Sequence, residues 1–119
     1  MRKASFLTIV LALALRFGGG IAADAFVPGI DDLPLMPGLS AEADALVFDK
    51  PDGRIVQATA HGGLERRAVL DFYDSTLPQL GWRRQSAGRY VREGETLAIA
   101  IEGGGGRITV QFILSPGKS

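Results

Sequence analysis

The sequence predicts an α+β domain. It reads as a single antiparallel β-sheet of about five or six short strands, with one helix packed across one face and a proline-rich extended arm in front. Three observations carry this. Leu64 to Trp82 places Leu64, Ala68, Val69, Phe72, Tyr73, Thr76, Leu77 and Leu80 at spacings of three and four, the mark of an amphipathic helix. Thr96–Glu102 and Arg107–Leu114 instead alternate, with Leu97, Ile99 and Ile101 on one side and Ile108, Val110, Phe112 and Leu114 on the other strand's matching side. The connections between strand segments are of hairpin length, which makes neighbours antiparallel.

The N-terminus comes first in order. Met1-Arg2-Lys3 is basic and Phe6–Leu15 is an unbroken apolar run, too short for the roughly 20 residues of a membrane span. Residues 1–23 therefore read as a signal peptide cut after Ala23 or Ala25, with an uncleaved membrane anchor as the alternative. The chain has no cysteine, which excludes a lipid-modified cysteine, disulfides and thiol chemistry. The full chain has 13 basic and 13 acidic residues; removing Arg2, Lys3 and Arg16 leaves ten basic against thirteen acidic. A net negative exported chain, periplasmic or secreted, is not expected to bind nucleic acid or, once the signal is removed, a membrane.

Residues 24–44 form the arm. Pro28, Pro34 and Pro37 keep it extended or turned. It carries Asp24, Asp31, Asp32, Glu42 and Asp44 and no basic residue. The domain proper is expected over 45–116, in the order β-β-α-β-β-β-β. Ala45–Asp49 and Arg54–Ala60 are strands joined by the turn Lys50-Pro51-Asp52-Gly53. The helix lies after Gly62-Gly63. Pro78 ends it near Leu77 or kinks it into a last turn, and Gly81 supplies the left-handed exit. Trp82–Gln85, Arg89–Arg92, Thr96–Glu102 and Arg107–Leu114 complete the sheet. Residues 117–119 are expected to fray.

The run FYDSTLPQLGW, followed by RYVREGETLAIAI and a glycine-rich turn, resembles a pattern recurring in small exported bacterial proteins of unknown function. The matching residues are Phe72, Tyr73, Leu77, Leu80, Gly81 and Trp82. The resemblance spans roughly Ala45 to Pro116. Its residues build a helix and its exit, so it implies a fold and brings no reaction with it.

Candidate chemistry is sparse. His61 is the single histidine, with Glu65 its nearest acid in sequence, and reads as a surface residue at a strand end. Asp71 and Asp74 share a helix face, a solvated one with Arg67 in ion-pair range of Asp71. Phe72 is expected in the core. Gly103–Gly106 precedes a strand rather than a helix, so it is a hairpin loop and not a phosphate cradle. No catalytic set, metal site or cofactor is expected. The candidate interaction surface is basic: Arg83, Arg84, Arg89, Tyr90 and Arg92. It reads either as a charge-protected sheet edge or as the dock for the acidic arm. The function these features favour is a non-catalytic exported module that binds a protein or envelope component. The alternatives are a small-ligand carrier with an apolar pocket between helix and sheet, and a small periplasmic enzyme using His61.

Overall fold

The computed structural model describes residues 25–117; the signal-peptide reading of residues 1–23 lies outside them. Seven strands form one antiparallel sheet: β1 Leu39–Ala41, β2 Leu46–Lys50, β3 Gly53–Gly62, β4 Arg83–Ser86, β5 Arg89–Arg92, β6 Glu95–Gly104 and β7 Arg107–Pro116. Helix α1, Arg66–Thr76, continues into a 3-10 turn at Leu77–Leu80. The spatial order is β1-β3-β7-β6-β5-β4, with β2 beside β1 along the same edge of β3. β7, last in sequence, thus lies in the middle of the sheet.

The α+β class and the single covering helix agree with the sequence, while the strand count does not. The expected five or six strands become seven because Leu39–Ala41, placed in the arm, pairs with Ala60–Gly62. β3, β6 and β7 are also longer than expected, at ten residues each. Gly117 does not fray: its N–H donates to the Gly94 carbonyl at 2.7 Å and its carbonyl accepts from the Thr96 hydroxyl at 2.6 Å.

Helix α1 starts after Glu65, with no side-chain cap, and is held from outside instead. Arg66 donates to the Ile101 carbonyl at 2.6 Å and the Gly103 carbonyl at 3.3 Å, fixing the first turn to the end of β6. Pro78 converts the last turn to 3-10, and Gly81, at φ 93°, donates back to Leu77 and Pro78 carbonyls. The helix buries Val69, Tyr73 and Leu77, four residues apart, against Val110, Phe112, Leu97 and Ile99. Phe72, expected in the core, is only partly buried; Tyr73 occupies that place.

The arm shares this core. Its N-terminal part closes on itself through Val27 N–H to Leu33 C=O and Leu35 N–H to Ala25 C=O, both 2.9 Å. Val27, Ile30, Leu33, Leu35 and Leu39 point inward and are buried with the strands. Gly29 is required where it stands: its φ is 85°, and a Cβ would come within 2.8 Å of Val56. The Tyr73 hydroxyl ties helix to arm, donating to the Pro34 carbonyl at 2.8 Å and accepting from the Met36 N–H at 3.1 Å. Its ring meets Phe112 of β7 edge-on at 5.5 Å.

Two outcomes follow for denaturant melts. Tyr73→Phe orphans two backbone groups and should cost about 1–3 kcal/mol. Tyr73→Ala should cost about 3–5 and Phe72→Ala only about 1–2 kcal/mol; the reverse order would place the wrong ring in the core. Burial pushes the Tyr73 phenol up from 10.0 to about 12. Its neutral form therefore stabilises the fold fully below pH 10, and that contribution is lost as pH rises through 12. Tyr73→Phe should flatten this alkaline loss, leaving only the share from Tyr90.

Candidate interaction surface

The sheet has two unlike faces. One is filled by helix and arm. Strand register places a second set of side chains on the other, where no described helix covers them. One cross-strand row runs Leu46, Gln57, Ile113, Ala98, Arg89 through five strands. A neighbouring row holds Ser115, Thr96, Val91 and Arg83. A third holds Ser40, His61, Thr109 and Glu102. The described chain end touches this face at Thr96 through Gly117. Ile113, Ala98 and Ile55 stay half-buried, as expected of an antiparallel sheet face without a second layer.

His61 belongs to this open face and not to the helix. Its partner is Glu42, nineteen residues upstream, and not Glu65. The Nε2–Glu42 Oε2 distance is 2.8 Å and the Nδ1–Thr109 Oγ1 distance is 3.2 Å. In the neutral ring with its proton on Nε2, Nε2–H donates to Glu42 and Nδ1 accepts from the Thr109 hydroxyl. The line Glu42–His61–Thr109 clips the end of β1 to β3 and β7. It is capable of passing a proton along its length, but it lies on a flat strand surface and lines neither of the grooves described below.

The five residues of the basic surface separate. Arg83 and Arg89 are exposed on the open face, and their side chains make no hydrogen bond or ion pair to another described residue. Tyr90 is fully buried on the helix side and is not surface at all. Its hydroxyl donates to Asp74 Oδ1, and burial, with the Asp74 carboxylate second, pushes its pKa strongly up. Arg84 reaches the same oxygen at 3.2 Å. Asp74 is therefore a fixed acceptor between helix and hairpin, not part of a solvated face, whereas Asp71 is exposed. No Arg67–Asp71 ion pair forms among the described residues.

Arg92 is a clasp. It forks onto Asp32 of the arm at 2.8 and 3.2 Å, donates to the Leu80 carbonyl at 2.9 Å, and lies 4.3 Å from the centre of the Trp82 ring. The acidic arm does dock on the basic hairpin, through this one pair. The guanidinium holds the Asp32 carboxyl below its ordinary value of 3.8, its hydrogen bond being the main cause.

Two grooves indent the described surface. One, about 220 Å³, lies at the 3-10 turn and the β5–β6 hairpin between Leu80, Arg83, Val91 and Arg92. The other, about 190 Å³, lies between α1 and the β4–β5 hairpin and is lined by Arg67, Asp71, Asp74 and Arg84. Both are open to solvent; the first is mainly polar and the second mixed, with Leu70 and Ala87 beside the charged groups. The space between helix and sheet is occupied by Tyr73, Phe112, Leu77 and Val69, all fully buried. No helix among the described residues is long and apolar enough to cross a membrane, and no group of three metal-ligating side chains gathers among them.

The chain matches no protein-family model, no curated protein and no solved structure.

Asp32→Asn should cost about 0.5–1 kcal/mol at neutral pH, the range of a partly exposed ion pair with fork geometry. Because the folded-state pKa is depressed, the Asp32 contribution is complete above about pH 4 and fades as pH falls through the lowered value. The variant's acid-unfolding curve should accordingly converge on the parent's at low pH. Asp74→Ala, which orphans the buried Tyr90 hydroxyl, should cost about 1–3 kcal/mol and Asp71→Asn under about 0.5. Equal costs in thermal melts would dismiss the Asp74–Tyr90 link.

Proposed function

We propose that this chain is an exported, non-catalytic module that binds a protein or cell-envelope component through the open face of its sheet. The observation that carries the reading is the row Leu46, Gln57, Ile113, Ala98, Arg89, which crosses five strands with no second layer over it among the described residues. Such a face offers a flat, half-apolar area flanked by two unpaired cations, Arg83 and Arg89, a composition suited to a protein surface. The basic start and apolar run of residues 1–23 support export, as does the resemblance to small exported bacterial proteins. Arg83 and Arg89 remain the interaction residues of this reading; Arg84, Tyr90 and Arg92 act in the fold.

One observation favours the alternative of a small enzyme, the Glu42–His61–Thr109 line. It places an imidazole against a hydroxyl, but on an exposed strand face and outside both grooves described above. The carrier reading meets a core already filled by Tyr73 and Phe112.

A photo-crosslinking residue placed at Ile113 in the full-length chain, expressed in a Gram-negative host, should give envelope-derived adducts. The same residue at Asp71, on the helix side, should give none. Adducts from Asp71 alone would move the binding surface to the other face. Fractionation should release the protein with the periplasm or medium; retention in the cytoplasm would remove the export half of the proposal.

A further inference from the structure

A sheet that does not close ends in two edges, and these two are unequal. At the β4 edge the strand is four residues long, carries Arg83 and Arg84, and shifts register between Arg84 and Ser86. Charge and irregularity of this kind block strand addition. β2 lies on the opposite edge, is regular along its length, and is exposed at all five residues. Leu46, Val47 and Phe48 are 59%, 49% and 52% exposed.

The polar groups free on that edge can be identified. Glu42 N–H donates to the Thr59 carbonyl, so the odd-numbered residues of β3 face this edge and the even-numbered ones face β7. The register Leu46↔Gln57, Phe48↔Ile55, Lys50↔Gly53 then consists of hydrogen-bonded pairs. Val47 and Asp49 must direct their N–H and C=O groups away from the sheet.

We infer that β2 pairs with β2 of a second copy of this chain, antiparallel about a two-fold axis at Val47. In that register Val47 lies opposite the partner's Val47, and its outward N–H and C=O meet their equals. Leu46 lies opposite the partner's Phe48, and Asp44 comes beside the partner's Lys50, on both sides of the axis. Apolar residues thus meet at the centre and opposite charges at each end. A register centred on Phe48 also satisfies the backbone, but it sets Leu46 against the partner's Lys50 and Val47 against the partner's Asp49. The segment is complementary to itself in one register only, which selects a second copy over an unrelated strand. The two-fold uses β2 of both copies and so closes the assembly there; the edges left outside are the guarded β4 strands and the three-residue β1. An interface of two short strands is small, so the dimer is weak and concentration-dependent. It uses the edge backbone of β2, whose Leu46 also begins the open-face row, and it does not depend on the proposed function.

The chain has no cysteine, so a single introduced cysteine reports on one position. In the full-length chain, Val47→Cys places two sulfurs across a pair whose Cα atoms lie about 5.5 Å apart, within disulfide range. Under mild oxidation, non-reducing gels should show Val47→Cys dimers forming roughly tenfold faster than those of Phe48→Cys or of the turn variant Asp52→Cys. In the Val47→Cys background, Lys50→Glu should slow the reaction several-fold and Asp44→Lys added to it should restore the rate. Circular dichroism on each variant confirms that the fold is intact. Fastest linkage at Phe48→Cys, linkage equal at all three positions, or failure of the charge swap to restore the rate would overturn this register. No linked dimer at any position would overturn the pairing.

Discussion

The hydroxyl of Tyr73 is the point on which the three parts of the molecule depend. A phenol buried to zero exposure must find partners for its oxygen. It finds them in the arm, at the Pro34 carbonyl and the Met36 N–H, while its ring rests on Phe112 of the central strand. Helix, arm and sheet are therefore fixed relative to one another by one side chain. Pro34 keeps the arm extended where that oxygen can reach it, and Pro37 with Gly38 turns the chain into β1. Arg92 repeats the device at the periphery, joining Asp32 of the arm to the 3-10 turn and to Trp82. The peripheral clasp is partly exposed and contributes little; the buried one is what gives the arm a fixed place.

The core is one-sided as a result. Among the described residues the covering helix and arm lie on one side, and the other is touched by Gly117 at Thr96. The opposite face keeps the composition of a strand surface in contact with water, with isolated Ile113 and Ile55 among Gln57, Gln111 and Thr109. Arg66, holding Ile101 and Gly103 carbonyls, and Arg84, holding Asp74, show how the surface arginines near the helix are used: they fasten the covering layer at its ends. Arg83 and Arg89, on the far side, have no such task.

Much of this architecture was legible in the sequence. The alternation in TLAIAIE and RITVQFIL defines β6 and β7, and Pro78 with Gly81 marks the end of the helix. Other features depend on contacts that no local pattern contains. Leu39–Ala41 is too short for a period to appear; it is a strand because β3 extends far enough to pair with it. Phe72 and Tyr73 are adjacent and both apolar, and the helical period admits either to the core. The arm decides between them, because it offers backbone partners that only a tyrosine can use. The partners of His61, Arg84 and Arg92 are distant in sequence for the same reason. Charge sign foretold that the arm and the hairpin attract, but the particular pair, Asp32 with Arg92 sixty residues on, is set by tertiary geometry.

The position of β7 governs the order of events in time. β1, β2 and β3 connect to β4, β5 and β6 within the described sheet only through this strand, the seventh in sequence. Until residues 107–116 have emerged, the first half is a hairpin with an edge piece and the second a meander, and neither has a closed core. The ring that Tyr73 rests on is also absent until then. Long-range pairing of this kind delays folding, and here it delays it until residues 107–116 are available. A chain built in this order exposes the apolar faces of both halves until that strand joins them.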